Sequence, residues 1–173
     1  VYKLRKHNAD ILMPMKSERE MFDALNSALP KNAGVVRIHV AGDFFNQDYF
    51  DAWVMVAMAN PNVLFYAYTK SLRYWVSRIG IVPANMILTA SEGGSEDYLI
   101  NKHNLRKAVI VFSEQVAADM ELEIDHTDEH AANPEMASQD FALLLHGIQP
   151  AGSEAAEAIR EMKRNGTEFA YSR

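Results

Sequence analysis

Residues 37–45, RIHVAGDFF, indicate the fold of the chain, because a strand, a turn and the start of a helix follow one another there. Small residues lead from the strand to Asp43, so His39 and Asp43 fall at its carboxyl end. Open α/β sheets and βα barrels hold their ligand chemistry at this edge. The strand is indicated by its apolar residues Val35, Val36, Ile38 and Val40.

Length and composition are those of an ordinary globular protein. The 173 residues are 49% apolar and 23% charged, enough for a core within one domain. We therefore expect one α/β domain over residues 1–173, in which residues 1–34 form an N-terminal helical segment. The net charge of −6 argues against a generally basic nucleic-acid-binding surface but leaves room for a local basic patch.

The chain contains no cysteine, which excludes disulfides, cysteine zinc sites and a cysteine-bound iron–sulfur cluster. Its longest apolar runs are too short to cross a bilayer, and the opening VYKLRKHNAD does not resemble a signal peptide. We therefore expect a cytoplasmic protein without a membrane partner.

Five continuous apolar runs are predicted to be buried parallel strands. Their starts lie about 22 to 33 residues apart, which is typical of successive βα units. A complete eight-unit barrel needs about 250 residues. We therefore predict an α/β fold with a mostly parallel sheet of about five βα units, either an open sheet or a partial (βα) barrel. The predicted strands are Val35–Val40, Val63–Thr69, Met86–Ala90, Ala108–Phe112 and Phe141–His146.

Helix start signals lie between these runs. Ser17 and Glu20 form a capping box, and Asn46 is placed to cap the next helix. Leu72 begins a helical apolar pattern that runs to residue 79, and Ser153 begins the last one. The residues predicted for the core are Trp53, Trp75, Phe65, Ile38, Val111 and Leu144.

The first candidate site pairs His39 with Asp43 around a turn that Gly42 permits. Two ionisable groups at one strand end suit acid–base chemistry, so both are predicted to be catalytic. In the structural alternative, Asp43 accepts backbone amides while His39 is a packed, hydrogen-bonded core residue.

The second candidate site follows the next strand at Thr69, Lys70 and Ser71. Thr69 or Ser71 can cap the helix that follows. The free amides of that helix, together with Lys70 and Arg73, would suit a phosphate or carboxylate, so the three residues are predicted to bind ligand. The alternative is a plain cap beside a solvated lysine.

The third candidate site is residues 124–130, IDHTDEH, with six consecutive ionisable or hydroxyl side chains. Such a segment can bind Zn, Mn or Fe, and His126, Asp128 and His130 would share one face of an extended chain. Asp125 would lie on the other face, as a catalytic base or metal ligand. The alternative is a solvated acidic loop.

The fourth candidate site is His146 at the end of the last strand. Gly147 and Gly152 let the backbone pass close to a ligand before the helix begins. His146 is therefore predicted to be catalytic and Gln149 to bind ligand. A connecting turn with a packed histidine is the alternative.

Four blocks in this order resemble a phage-encoded family of gene-88-type proteins known from a mycobacteriophage. The resemblance extends from about Val35 to Ser172 and implies a phage protein in the host-cell cytoplasm, of a family often labelled as associated with rolling-circle replication. The blocks are RIHVAGDFFNQDYFDAW, NPNVLFYAYTKSLRYW, IDHTDEHAA and FALLLHGIQPAGSEA. The matching positions are His39, Gly42, Asp43, Tyr68, Thr69, Lys70, Ser71, Asp125, His126, His146, Gln149 and Gly152.

The chain departs from the family's pattern in two respects. Longer relatives resemble radical-type α/β barrels in an N-terminal cysteine cluster, which this cysteine-free chain lacks, so we interpret it as a truncated or divergent member. A rolling-circle nickase also needs a metal-binding pair of histidines around one apolar residue and a tyrosine nucleophile. Neither His39 nor His126 begins such a pair.

Three functional hypotheses follow. The leading one is an enzyme that acts on a phosphorylated or nucleotide-like ligand at the strand carboxyl ends, with an optional divalent metal. Asp43 or Asp125 would be the base or metal ligand, His39 and His146 the acid–base groups, and Lys70 the anion contact. These five residues are then expected to converge in one pocket.

The other two hypotheses need no catalysis. A DNA-associated replication accessory protein requires focused positive charge on its surface. A catalytically silent binding module would keep the fold alone. The basic cluster that the DNA hypothesis requires comprises Lys70, Arg73, Arg78, Lys102, Arg106 and Lys107.

Overall fold

A computed structural model describes residues 2–145, 152 and 154–166 of the chain. Among these residues, no helix is long and apolar enough to cross a membrane. The helices are α1 (Tyr2–Leu12), α2 (Glu18–Ala28), α3 (Gln47–Ala59), α4 (Leu72–Val76), α5 (Tyr98–His103), α6 (Glu114–Asp119) and α7 (Glu154–Arg164), and a 3₁₀ turn covers Pro134–Met136. The strands are β1 (Val35–Arg37), β2 (Leu64–Thr69), β3 (Met86–Ser91), β4 (Lys107–Val111) and β5 (Phe141–Leu144).

The five strands form one parallel sheet in the order β1-β2-β3-β4-β5, curled into an open half-barrel. The register pairs Val36 with Phe65, Phe65 with Met86, and Ala108 with Phe141. Strands that follow one another in both sequence and space send their connecting helices to the same side of the sheet. The predicted α/β fold with about five parallel strands is confirmed.

The outer, convex face of the sheet carries the largest core. Phe65 and Ala67 of β2 pack with Phe50 and Trp53 of α3, and Met21 of α2 joins the same buried cluster. Of the predicted core residues, Trp53, Phe65, Val111 and Leu144 are buried, whereas Ile38 and Trp75 are half-buried.

The inner face is covered by a loop instead of by helices. Alternation along the strands turns Tyr66, Ile87 and Phe141 to this side, where they pack with Ala131. Residues 125–133, which we call the strap, begin where Ile124 forms a parallel bridge with Ala142 of β5. The strap is the second layer over the inner face of the half-barrel.

The predicted helix starts are confirmed where the structure describes them. The Ser17 hydroxyl accepts from the Glu20 amide at 3.3 Å, and the Asn46 side chain accepts from the Tyr49 amide at 2.8 Å. The start predicted at Ser153 lies outside the described residues. The first strand is shorter than predicted: it ends at Arg37, and the backbone bends at Ile38.

Replacing Trp53 with Ala should lower the free energy of unfolding by about 3–5 kcal/mol, since burial is lost and a cavity remains against Phe65. Trp53 is 7% exposed, with its ring 6.1 Å from that of Phe65. The matched control is Met58→Ala on the same helix, where the side chain is 50% exposed. Urea denaturation of both variants measures the difference, and equal losses would contradict the assigned core.

Candidate functional site

The Asp43 carboxylate joins the ends of β1 and β2. Its Oδ1 accepts from the Phe44 amide at 2.8 Å and the Thr69 hydroxyl at 2.6 Å. Its Oδ2 accepts from the amides of Lys70 at 2.7 Å and Ser71 at 3.2 Å. Four donors occupy the lone pairs of this carboxylate, so its geometry is that of a structural brace.

Lys70 reaches from the end of β2 to the end of β3. Its ammonium donates to the carbonyl oxygen of Ser91 at 2.9 Å and to that of Glu92. The loop after β3 passes close to its stem, since a Cβ at Gly94 would lie 3.2 Å from the Lys70 Cβ. Lys70 is exposed, and among the described residues it forms no ion pair with a carboxylate.

The amides that precede and begin α4 are already bonded to carboxylates of the chain. Asp43 accepts from Lys70 and Ser71, and the Glu96 carboxylate accepts from the Arg73 amide at 3.0 Å. The Ser71 hydroxyl does not cap the helix but donates to the Phe44 carbonyl at 2.8 Å. In this arrangement Lys70 is the group of this segment that keeps charge available for an external anion.

His39 is a half-buried, uncharged imidazole beside the brace. Its Nε2 lies 3.2 Å from the Tyr49 hydroxyl, and its ring packs edge-on against Phe44 at 4.6 Å. Within the described residues its buried Nδ1 has no hydrogen-bond partner. Burial lowers the pKa of His39 to about 4, and the Asp43 carboxylate offsets only part of this shift.

Asp125 is enclosed by the strap. Its side chain is 0% exposed and accepts from the backbone amides of Thr127, Glu129, His130 and Ala131 at 2.9 to 3.2 Å. A carboxylate that satisfies four amides of its own loop has a structural explanation. Residues 125–131 are therefore a compact loop wound around Asp125, not the extended chain in which His126, Asp128 and His130 would share one face.

The residues predicted to bind metal have different partners. Asp128 bonds to Arg37 at 2.5 Å, and the His130 Nε2 lies 2.9 Å from a Glu123 carboxylate oxygen, whereas His126 is exposed. Among the described residues, no three His, Cys, Asp or Glu side chains are grouped to hold a metal ion. Metal binding here stays a prediction, and these contacts do not favour it.

The structure thus brings together part of the predicted site. Asp43, Thr69, Lys70 and Ser71 are in direct contact, and His39 lies next to them. Asp125 belongs to the strap. His146 and Gln149 lie outside the described residues, so their convergence with the other residues stays a prediction.

The sequence patterns did not identify Arg37 and Tyr66 of the inner face as site residues, and they placed Arg106 only in the basic cluster of the DNA hypothesis. A charged residue beside an apolar strand is one signal, and tyrosines two positions apart, which share one face of a strand, are another. Tyr66 and Tyr68 both donate to Asp128, at 2.9 and 3.0 Å. Their common partner lies about 60 positions away and could not be read from the sequence pattern.

The basic cluster required for DNA binding is largely neutralised. Arg73 pairs with Glu96 at 2.9 Å, Lys107 pairs with Glu92 at 2.8 Å, and Arg78 pairs with Asp51. Arg106 is buried beneath the strap. Of the six cations, Lys70 and Lys102 are exposed and form no ion pair in the part of the chain that the structure describes.

Asp43→Asn should lower the free energy of unfolding by about 2–3 kcal/mol, because an amide cannot accept from all four donors. The matched control is Asp48→Asn, an exposed acid in the first turn of α3. That control should lose about 1 kcal/mol or less. Urea denaturation gives both values, and similar losses in the two variants would argue against the brace.

Acidification should weaken the fold through His39. The pKa of His39 is about 4 in the folded state and 6.5 in an ordinary histidine. Between pH 6.5 and pH 4 the unfolded chain therefore binds a proton that the folded chain does not bind. Stability is then fully present above pH 6.5 and falls as the pH drops, by about 2–3 kcal/mol between pH 7 and 4.5 from this group. Urea denaturation at both pH values should show a smaller difference for His39→Gln than for the parent.

The exposed His126 supplies the control for this pH effect. His126→Gln measures how far a histidine-to-glutamine replacement at an exposed position changes the pH dependence, and the change in His39→Gln is compared with it. An unchanged dependence in His39→Gln would show that His39 is not held in its neutral form by folding.

Comparison with known proteins identifies the family of the chain. Residues 1–168 match the family described as Gene product 88. No curated protein and no solved structure matches the chain significantly. The match covers the four sequence blocks that suggested a phage gene-88-type protein, and that prediction is confirmed. The chain belongs to the Gene product 88 family of phage proteins.

Proposed function

We propose that this phage protein binds a phosphorylated or nucleotide-like ligand at the carboxyl ends of β1, β2 and β3, with Lys70 as the anion contact. The observation that carries the proposal is that the Lys70 ammonium donates hydrogen bonds to two backbone carbonyls at the end of β3. These bonds orient the cation without a carboxylate that would cancel its charge. A fixed, exposed ammonium suits a phosphate oxygen.

Within this proposal neither His39 nor Asp43 is required to carry a proton, because a pKa of about 4 makes the His39 imidazole a weak base near pH 7. The imidazole is neutral near pH 7, and its Nδ1 has no hydrogen-bond partner among the described residues. Asp43 already accepts four hydrogen bonds and so acts as a positioning residue that holds the Lys70 backbone. Thr69 and Ser71 are likewise occupied, which leaves Lys70 as the supported ligand contact.

A small ligand is favoured over a nucleic acid by the charge distribution. Binding to a phosphate backbone needs several cations that are free to replace counter-ions. The ion pairs of Arg73, Arg78 and Lys107 hold those side chains on neighbouring carboxylates. A single oriented lysine is enough for one phosphate group.

The test is isothermal titration of the protein with ADP and with inorganic phosphate. Loss of a charge-assisted hydrogen bond costs about 1.5–3 kcal/mol, so Lys70→Met should bind about tenfold or more weakly. Methionine keeps an unbranched apolar stem beside Gly94. The matched control is Lys102→Met, which replaces an exposed lysine on α5 and should leave the affinity unchanged.

Circular dichroism of each variant shows whether folding is intact. The proposal fails when the parent binds neither probe, or when a folded Lys70→Met binds as well as the parent. Equal weakening by Lys70→Met and Lys102→Met would indicate diffuse charge attraction instead of a site.

A further inference from the structure

The inner face of the half-barrel carries three hydrogen-bond donors that converge on one carboxylate. Arg37 ends β1, and Tyr66 and Tyr68 lie on the inner side of β2. The carboxylate of Asp128 accepts from the Arg37 guanidinium at 2.5 Å and from the two phenols at 2.9 and 3.0 Å. A guanidinium with two hydroxyl donors is the chemistry that binds carboxylates and phosphates.

The three donors are held in place by one another and by the sheet. The Arg37 guanidinium lies over the Tyr68 ring at 5.2 Å, and its Nε donates to the His39 carbonyl at 3.0 Å. Burial and the Asp128 carboxylate both raise the pKa of Tyr68, so its hydroxyl keeps its proton. The donor set is therefore supplied by two neighbouring strands and meets the strap at Asp128.

The carboxylate, by contrast, comes from the strap. Asp128 has a φ of +63°, a left-handed conformation that is uncommon for a residue with a side chain. Its neighbours His126, Thr127 and Glu129 are exposed, whereas Asp128 itself is half-buried. The conformation of the strap does not rest on Asp128 alone, because the Asp125 carboxylate accepts hydrogen bonds from four backbone amides of the strap.

Buried donors without partners continue from the receptor across the inner face. Thr89 pairs with Tyr68 in the sheet register, and the pairing of Ala90 with Lys107 places Thr89 opposite Arg106. Thr89 is 1% exposed and Arg106 is 6% exposed. Within the described residues, the Thr89 Oγ1 and one Arg106 Nη have no hydrogen-bond partner. Buried polar groups normally have hydrogen-bond partners, so these two atoms indicate that a polar partner, such as a ligand, belongs beside them.

We propose that the inner face is a second binding site, for a small molecule bearing a carboxylate or phosphate group, and that Asp128 occupies it as an internal substitute for that group. Arg37, Tyr66 and Tyr68 form the oxyanion receptor. Thr89 and Arg106 contact the rest of the ligand once the strap has moved aside. This site uses none of the residues proposed to bind ligand at the strand ends and does not rest on that proposal.

The test removes the internal carboxylate and supplies an external one. Asp128→Gly suits the left-handed backbone and leaves the receptor without its carboxylate. Thermal unfolding of this variant is followed with sodium acetate and with sodium phosphate, at constant ionic strength set with chloride. Above the dissociation constant, each tenfold increase of the anion that binds should raise Tm by about 3–5 °C. The anion with the larger effect identifies the group for which the receptor is suited.

Two controls separate receptor binding from general salt effects. Glu129→Gly changes the adjacent exposed acid and should show no anion-specific rise in Tm. Adding Tyr68→Phe to Asp128→Gly removes one donor and should abolish most of the rise. Stabilisation of equal size in Glu129→Gly and Asp128→Gly overturns the proposal, as does its absence in a folded Asp128→Gly.

Asp128→Asn covers the case in which Asp128→Gly does not fold without added anion. The amide keeps the size of the side chain but lacks its charge, so an oxyanion should compete for Arg37 more easily than in the parent. A rise in Tm with acetate or phosphate that exceeds the parental rise supports the proposal. Recovery of folded Asp128→Gly by either anion also supports it, and failure of both variants to respond overturns it.

Discussion

The covered inner face of the half-barrel depends on the Asp125 carboxylate. The five described strands form an open half-barrel, and the sheet face that carries Tyr66, Ile87 and Phe141 has to be removed from water. A loop can do this only when its own buried amides find acceptors. Asp125 supplies two oxygens for four of those amides, and the strap can therefore lie against the sheet as a second layer.

Side-chain carboxylates also accept hydrogen bonds from backbone amides at the strand ends. Asp43 accepts from the turn after β2, Glu96 from the Arg73 amide, and Asp97 from the amides of Gly93 and Gly94 at 2.8 and 3.0 Å. Side-chain carboxylates thereby take the positions at which backbone amides of a βα loop bind phosphate in other proteins. In the two sites proposed above, side chains therefore recognise the anion, with Lys70 at the strand ends and Arg37 on the inner face.

The strands and caps were predictable because their signals are local. Each apolar run became a strand within a few residues of its predicted bounds, and Ser17 and Asn46 cap the helices that follow them. The interpretation of Asp43 stayed divided between catalysis and capping, and its four donors favour the second. The compact loop of residues 125–131 is not visible in the sequence, because the pattern of acids and histidines does not show that their amides collect on one side chain.

By itself, the sequence determined the five-strand α/β fold, the placement of His39, Asp43 and Lys70 at strand ends, and the family resemblance. Periodicity and helix caps depend on residues that are close in sequence, and parallel strands bring their carboxyl ends to one edge of the sheet. Only the tertiary structure decided that Arg37 meets Asp128, 91 positions away, and that Arg106 lies beneath the strap. Such partners are chosen by the path of the strap across the sheet, where burial makes an unpaired charge costly and no short-range pattern records the pairing.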